Sequence, residues 1–587
     1  MRVRPIAFGL VVFASAATGF SIPGAVGRAG MGSLAMQQSS ISPVTAPAIS
    51  VKLLPRHLQE RTRVAKVATV ATSSEAPEGQ FILYVMRKVL RGHENPALDA
   101  AIEAANLTHL PLLVLLLVED RYPNATARRQ TFLLQGAAAA VEELRAQGLQ
   151  VAVHVSRAGH RQQAAFSLAH RARLVVAEEP FCAPWLAGCR ALCSKSFAAP
   201  VWLVDADSIV PCALVNPAAC HKAYKYEAAT KAAAAVRLAA PWVDAVLHAR
   251  ADTLTHACAA NAASTAVPAL IALPFEPVLD LSADAIARLV AEMDAIDHAV
   301  PAVTHTLGGS VEGYRRWDAF VARGGLNSYA ARRNDSLDPS GVSRMSAFLN
   351  LGMVSPLRIG REVRTVARNR TCAGAAKFTA EFETWRGLSY AFCYHHTPPG
   401  AVGATVEMLP AWAQATLAKH ARDPRSRLVP LSDLVLGRSG DGTWDALQAS
   451  LVASGEMHNN ARMGWGKAVL AWRDGPEATL AALVKLNDMF ALDGHSPPSI
   501  AGLMGCMGLF ESPKAESKVY GTVQHRGLKR RYANIAQPKA NGDAQRPLKC
   551  AKKAPGASAK QNSSPVKHKS ALASPGQTSL SAYFHSA

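Results

Sequence analysis

Five short apolar runs stand at Phe81–Met86, Leu110–Val118, Val151–Val155, Leu174–Ala177 and Val201–Val204. Each is short enough for a strand buried on both faces. Stretches with helical spacing lie between them, such as Arg128–Gln147 with its A-A-A-A-V-E-E-L-R core. Strand–helix alternation predicts an α/β domain over residues 76–210, a doubly wound, Rossmann-like parallel sheet. Residues 211–311 are Ala-rich and mixed, and read as a connector. From Gly313 to about Phe510 the apolar positions recur at helical spacing, so an all-α domain is expected over residues 312–534.

Both ends differ in character. Residues 1–75 read as a leader: Arg2 and Arg4, an apolar run from Ile6 to Ala17, and no acidic residue before Glu60. An acid-poor, Ser-rich start of this kind resembles a plastid or mitochondrial transit peptide, and the apolar run resembles a signal peptide. A merely disordered start is the plainer alternative. Residues 535–587 consist largely of Lys, Ala, Pro, Ser and Gly and are expected to be disordered.

Charge narrows the partner class. The net charge is +20, from 63 basic and 43 acidic residues among 587. That excess suits a polyanion, nucleic acid before membrane. Twelve Lys or Arg and a single acidic residue, Asp543, lie from His525 onward, so much of the excess belongs to the tail. The ten cysteines include no C-x-x-C pair and no zinc-finger spacing. No apolar run is long enough to span a membrane, and neither a phosphate-loop nor an H-E-x-x-H motif is present. No metal site or membrane association is expected.

The richest stretch runs from Trp444 to Asp493. Trp465 and Trp472 are seven residues apart, so their indoles share a helix face about 10 Å apart. Arg462 stands three residues before Trp465, and Asn487, Asp488 and Asp493 follow. The residues alone are open to two readings. One is a cofactor pocket with oxidisable rings leading out of it; the other is an ordinary aromatic core with one ion pair.

Met457–Met463 (M-H-N-N-A-R-M) and Leu486–Gly494 (L-N-D-M-F-A-L-D-G) resemble the flavin-binding domain of the photolyase/cryptochrome family. The likeness runs from about Phe81 to Tyr532, and its nearest branch is the class II cyclobutane pyrimidine dimer photolyases. It implies FAD in the helical domain and an antenna chromophore, a deazaflavin or folate, in the α/β domain. By this resemblance Tyr329 and the segment Ser343-Arg344-Met345-Ser346 hold the FAD diphosphate. Hydroxyls and helix-start N–H groups suit phosphate oxygens. Arg462 and Asp493 pair beside the isoalloxazine, and Asn487 faces its reactive nitrogen. Trp465, Trp444 and Trp472 form the chain that re-reduces the flavin.

Glu381 and Trp385, four apart on one helix face, correspond to the carboxyl and indole that meet the flipped-out pyrimidine dimer. Two departures bear on repair. Gly387 stands where the family has Glu, and Gly505 where class II enzymes have a second clamping Trp. The resemblance therefore implies light-driven repair of cyclobutane pyrimidine dimers by a monomeric enzyme acting on damaged DNA. The alternative is a cryptochrome-like blue-light photoreceptor that keeps FAD and has lost repair.

A last motif closes the chain. Gln577, Leu580, Tyr583 and Phe584 follow the Q-x-x-aliphatic-x-x-aromatic-aromatic box that docks on the eukaryotic sliding clamp. One short turn would place the three apolar side chains together as anchors. With the basic tail this predicts a nuclear protein, in conflict with the organelle reading of the leader.

Overall fold

The computed structural model describes residues 49–67, 79–194, 196–248, 271–369 and 372–535. Most of the expected leader and tail, including the clamp-docking box at Gln577–Phe584, lies outside the described residues. All five apolar runs form strands: β2 (Phe81–Met86), β3 (Leu112–Val118), β4 (Gln150–Val155), β5 (Ala172–Glu178) and β6 (Val201–Val204). They pair in parallel in the order β6-β5-β2-β3-β4. Crossover helices such as Pro96–Thr108 and Ala127–Ala146 connect them.

The leader expectation needs correction. Thr62–Lys66 is a sixth strand, β1, added antiparallel to the edge strand β6. Its short, polar sequence T-R-V-A-K carries no buried apolar face, so hydrophobic pattern could not reveal it. Side chains hold it instead. Arg61 is buried and donates to the carbonyls of Asp205, Ser208 and Ile209 at 3.1, 2.8 and 2.9 Å. Arg63 grips Glu179 with two bonds, at 2.6 and 2.8 Å.

Period-two alternation divides the sheet's side chains between two cores. Phe81, Leu83 and Val85 point into a smaller cluster with Leu168, Leu192 and Phe275. Ile82, Tyr84 and Met86 point into a core that continues through the helical domain. The connector contributes the helices Ala223–Arg237 and Ala283–Ala291. Helices dominate from Ser310 to Gly505, and no strand is found among the described residues after Val204. No described helix is long and apolar enough to cross a membrane.

The α/β layer reaches into the helical domain through two neighbouring arginines. Arg128 donates to the Phe490 carbonyl at 2.8 Å and to Leu451 at 3.3 Å. Arg129 donates to the Gly494 carbonyl at 3.1 Å, which also receives Asn350 at 2.6 Å. Gly494 must lack a side chain, since a Cβ there would lie 2.9 Å from the Asp488 Cα. Replacing Arg61 by Met should leave three buried carbonyls without their charged donor. Urea unfolding is expected to show a loss of about 2–3 kcal/mol, with wild-type stability as the result that sinks the assignment of β1 to the folded body.

Candidate functional site

A cavity of about 400 Å³ opens inside the helical domain, a size that suits a small-molecule site. One wall follows helix Gly325–Arg332 and the loop after it, bringing Tyr329, Arg333, Ser336 and Ser343 to Ser346 to the cavity. Tyr329 is buried, and burial pushes its phenol up to about 12. It stays protonated and able to donate. Arg344 takes a left-handed backbone, φ +56°, which a long side chain adopts only under constraint. The constraint is Glu456, which accepts Arg344 Nε at 2.7 Å and Nη2 at 3.0 Å. The helix that begins at Ser346 ends at Asn350. A single turn has little dipole, so hydroxyls and local N–H groups must carry any phosphate contact.

Glu456 was not singled out from the sequence, yet it is a hub. Thr306 Oγ1 donates to it at 3.1 Å, and Arg316 and His305 lie at 3.5 Å. Burial pushes the carboxyl up, but the bonds from His305 and Arg344 and the two guanidinium charges win, and hold it well below the usual range. His458 caps helix Asn459–Trp472: its Nδ1 accepts from the Asn460 N–H at 3.2 Å. Its Nε2 meets the Arg333 carbonyl at 2.8 Å, and burial lowers its pKa to about 4. The ring is therefore neutral, with Nε2 as the donor.

Arg462 and Asp493 meet as expected, Nη1 to Oδ1 at 3.0 Å, both on the wall. Asn487 does not reach the wall. Its Oδ1 accepts from Arg462 at 3.2 Å and its Nδ2 donates to Asp488 at 3.0 Å, with the residue 1% exposed. The resemblance named it but could not show that its carboxamide is bonded to Arg462 and Asp488.

Glu381 and Trp385 share another wall. They stand on a π-helical segment, Ala380–Arg386, rather than the α-helix expected. Such i→i+5 insertions are rare and collect at functional sites. Glu381 pairs with Lys377 at 2.9 Å and lies 3.6 Å from Arg333. At Gly387 a Cβ would lie 2.3 Å from the Tyr226 hydroxyl. That phenol, from the connector helix, fills the space beside this glycine.

Three indoles form a second cluster on neighbouring helices. Trp444 stacks on Trp465 with ring centroids 5.8 Å apart and planes 4° from parallel. It meets Trp472 edge-on at 5.7 Å. So the three rings run Trp465–Trp444–Trp472, with the Trp444 indole N–H bonded to the Trp465 carbonyl at 3.0 Å. Trp465 and Trp444 are fully buried, and Arg427 lies 4.6 Å over the Trp472 ring. None of the three is on the cavity wall. Two on one helix were legible from spacing; the third, Trp444 from helix Gly442–Ser454, was named by the resemblance alone.

No protein-family model matches the chain. The deoxyribodipyrimidine photo-lyase of Methanothermobacter thermautotrophicus is 28% identical over 470 residues, which covers 78% of this chain and 94% of that protein. The chain is similar to photolyases over most of its length. The deoxyribodipyrimidine photo-lyase of Arabidopsis thaliana is 31% identical over 259 residues, spanning 42% of this chain and about half (49%) of that protein. Among solved structures, a Synechocystis cryptochrome shares the fold with a TM-score of 0.50 at 14% identity, over 73% of this chain and 82% of its own.

That likeness implies a flavin, and the wall residues fit one. Arg462 Nε, Arg386 Nη2 and Ser336 Oγ are buried and find no hydrogen-bond partner within the protein. Each of these is a donor, two of them cationic. The wall carboxylates Glu381, Glu456 and Asp493 are all paired with an arginine. These three donors suit a phosphate-bearing, hydrogen-bond-accepting ligand. Replacing Glu456 by Gln should strip Arg344 and Arg316 of their shared anion and cost about 1–3 kcal/mol at neutral pH. Because the folded-state pKa lies below the ordinary 4.5, this contribution is present above pH 4.5 and lost as the pH falls below it. Thermal unfolding across that range should show the two proteins converging at acid pH; a constant gap would refute the role.

Proposed function

We propose that the protein is a DNA photolyase of the class II kind, repairing cyclobutane pyrimidine dimers flipped out of DNA. One observation carries the reading: Arg462, Asp493 and the Ser343–Ser346 segment share a single cavity with Glu381 and Trp385. A cofactor and a base-sized substrate held in one chamber are within electron-transfer reach. When bound, reduced FAD supplies light absorption and the electron that splits the dimer. The chain supplies position. Tyr329, Ser343 and Ser346 offer hydroxyls, and Arg344 and Met345 the local backbone, for the diphosphate. Arg462, held by Asp493, offers Nε to the ring system. Trp385 stacks on an extruded base and Glu381 accepts its N–H groups, the usual way a flipped base is read.

A cryptochrome-like photoreceptor remains the second reading. Gly505 favours it, because no indole stands there to clamp the lesion. The clamp-docking box at Gln577, Leu580, Tyr583 and Phe584 supports recruitment to replicating DNA in the nucleus. A peptide of residues 571–587 that fails to bind the clamp at high micromolar concentration removes that part of the proposal.

The decisive experiment is the visible spectrum of the purified protein, followed by blue-light repair of a dimer-bearing oligonucleotide. Flavin absorption with repair is the expected result. Absorption without repair favours the photoreceptor, and no flavin after reconstitution overturns both. Trp465→Phe should keep the flavin bound while abolishing its light-driven reduction, since it removes the first ring of the relay; unchanged photoreduction would refute the relay.

A further inference from the structure

We infer that Phe510 is a second aromatic wall of the subsite for the damaged bases, supplying the ring that Gly505 lacks. The inference rests on the proposed repair reading and replaces the expectation of a subsite with one indole.

Phe510 lines the same cavity as Trp385 and Glu381. Its ring centroid is 6.3 Å from that of Trp385, and the planes meet at 58°. Phe392 supports it from another side, edge-on at 5.3 Å. The two wall rings make a corner, not a parallel slot. An intact base is flat and suits a slot. Two pyrimidines joined through a cyclobutane ring are folded towards each other like an open book. A corner offers one aromatic face to each half of such a ligand, so the occupant it fits is a covalently joined pair of pyrimidines.

The backbone is arranged to hold Phe510 there. Its φ is +64°, a left-handed conformation that a bulky side chain avoids unless neighbours impose it. They do so through the next residue. Glu511 forms a buried ion pair with Lys467 of the Trp465 helix at 3.1 Å. The Glu511 carbonyl accepts Lys222 Nζ from the connector at 2.6 Å. Two separate elements thus pin the turn after helix Pro497–Gly505. The helix itself keeps out of the way. A Cβ at Gly502 would meet nothing within 4 Å, and one at Gly505 only Met463 Cε at 3.6 Å. Bare backbone at Gly502 and Gly505 leaves open the space that an indole at 505 would occupy.

The test uses the full-length, flavin-loaded protein and two labelled oligonucleotides, one with a single thymine dimer and an undamaged twin. Affinities are read by anisotropy for the wild type, Phe510→Ala, Phe510→Leu and Trp385→Ala. Losing one stacking face should weaken dimer binding by roughly tenfold or more in Phe510→Ala. Phe510→Leu keeps most of the volume and should also weaken dimer binding. Affinity for undamaged DNA should hold, because phosphate contacts do not read the lesion. Flavin absorption and the melting transition check the fold; if the Ala variant does not fold, the Leu variant decides. Wild-type dimer affinity in both Phe510 variants, with a loss in Trp385→Ala, overturns the inference and leaves the repair reading standing. No dimer preference in the wild type overturns the repair reading and this inference with it.

Discussion

Two adjacent arginines hold the loops on which the site depends. Arg128 and Arg129 belong to a helix of the α/β layer, yet they donate to carbonyls at Leu451, Phe490 and Gly494 in the helical domain. The Leu451 and Phe490 carbonyls lie in the last turns of the helices that precede Glu456 and Asp493, and Gly494 directly follows Asp493. A helix C-terminus leaves its last carbonyls without partners, and a buried one needs donors from elsewhere. A guanidinium supplies several in fixed geometry. Burial lowers the Arg128 pKa to about 10, far above neutrality, so the donor keeps its charge. The sheet domain therefore helps to shape the cavity without lining it.

Within the cavity wall, each carboxylate is matched by an arginine. Arg344 answers Glu456, Arg462 answers Asp493, and Arg333 stands near Glu381. An unpaired buried charge would be costly. Beside these pairs stand open donors on Arg462, Arg386 and Ser336, and donors cost less to leave unmet when a ligand can meet them. The wall is thus suited to bind an acceptor-rich molecule.

The two glycine departures have different consequences. At Gly387 the phenol of Tyr226 fills the room that a side chain would have taken. At Gly505 the room stays open to the cavity, and Phe510, five residues on, lines the same cavity beside Trp385. A motif comparison reads each position alone and records two losses. Packing reads the neighbourhood, and finds one place filled by a phenol and the other left open on a wall that Phe510 shares.

Much of this protein was legible in its residues. Runs of buried apolar residues specify β2 to β6 because a strand buried on both faces needs little else. The spacing of Arg462, Trp465 and Trp472 placed them on one helix, and Asp493 paired with Arg462 as the resemblance implied. Other features needed the third dimension. β1 is polar and is held by Arg61 and Arg63 reaching residues far along the chain, which no local pattern encodes. The π segment under Glu381 and Trp385 is a backbone choice that side-chain spacing does not reveal. Glu456 looked like any loop carboxylate until Arg344, Arg316, His305 and Thr306 converged on it from distant segments. Asn487 reads as a ligand by motif, but its carboxamide is claimed by Arg462 and Asp488. Periodicity and spacing determine which elements form and which face they bury, since those are local properties. Which polar atoms are spent and which stay open is decided only when the elements meet, because a hydrogen bond depends on partners that sequence distance does not bring near.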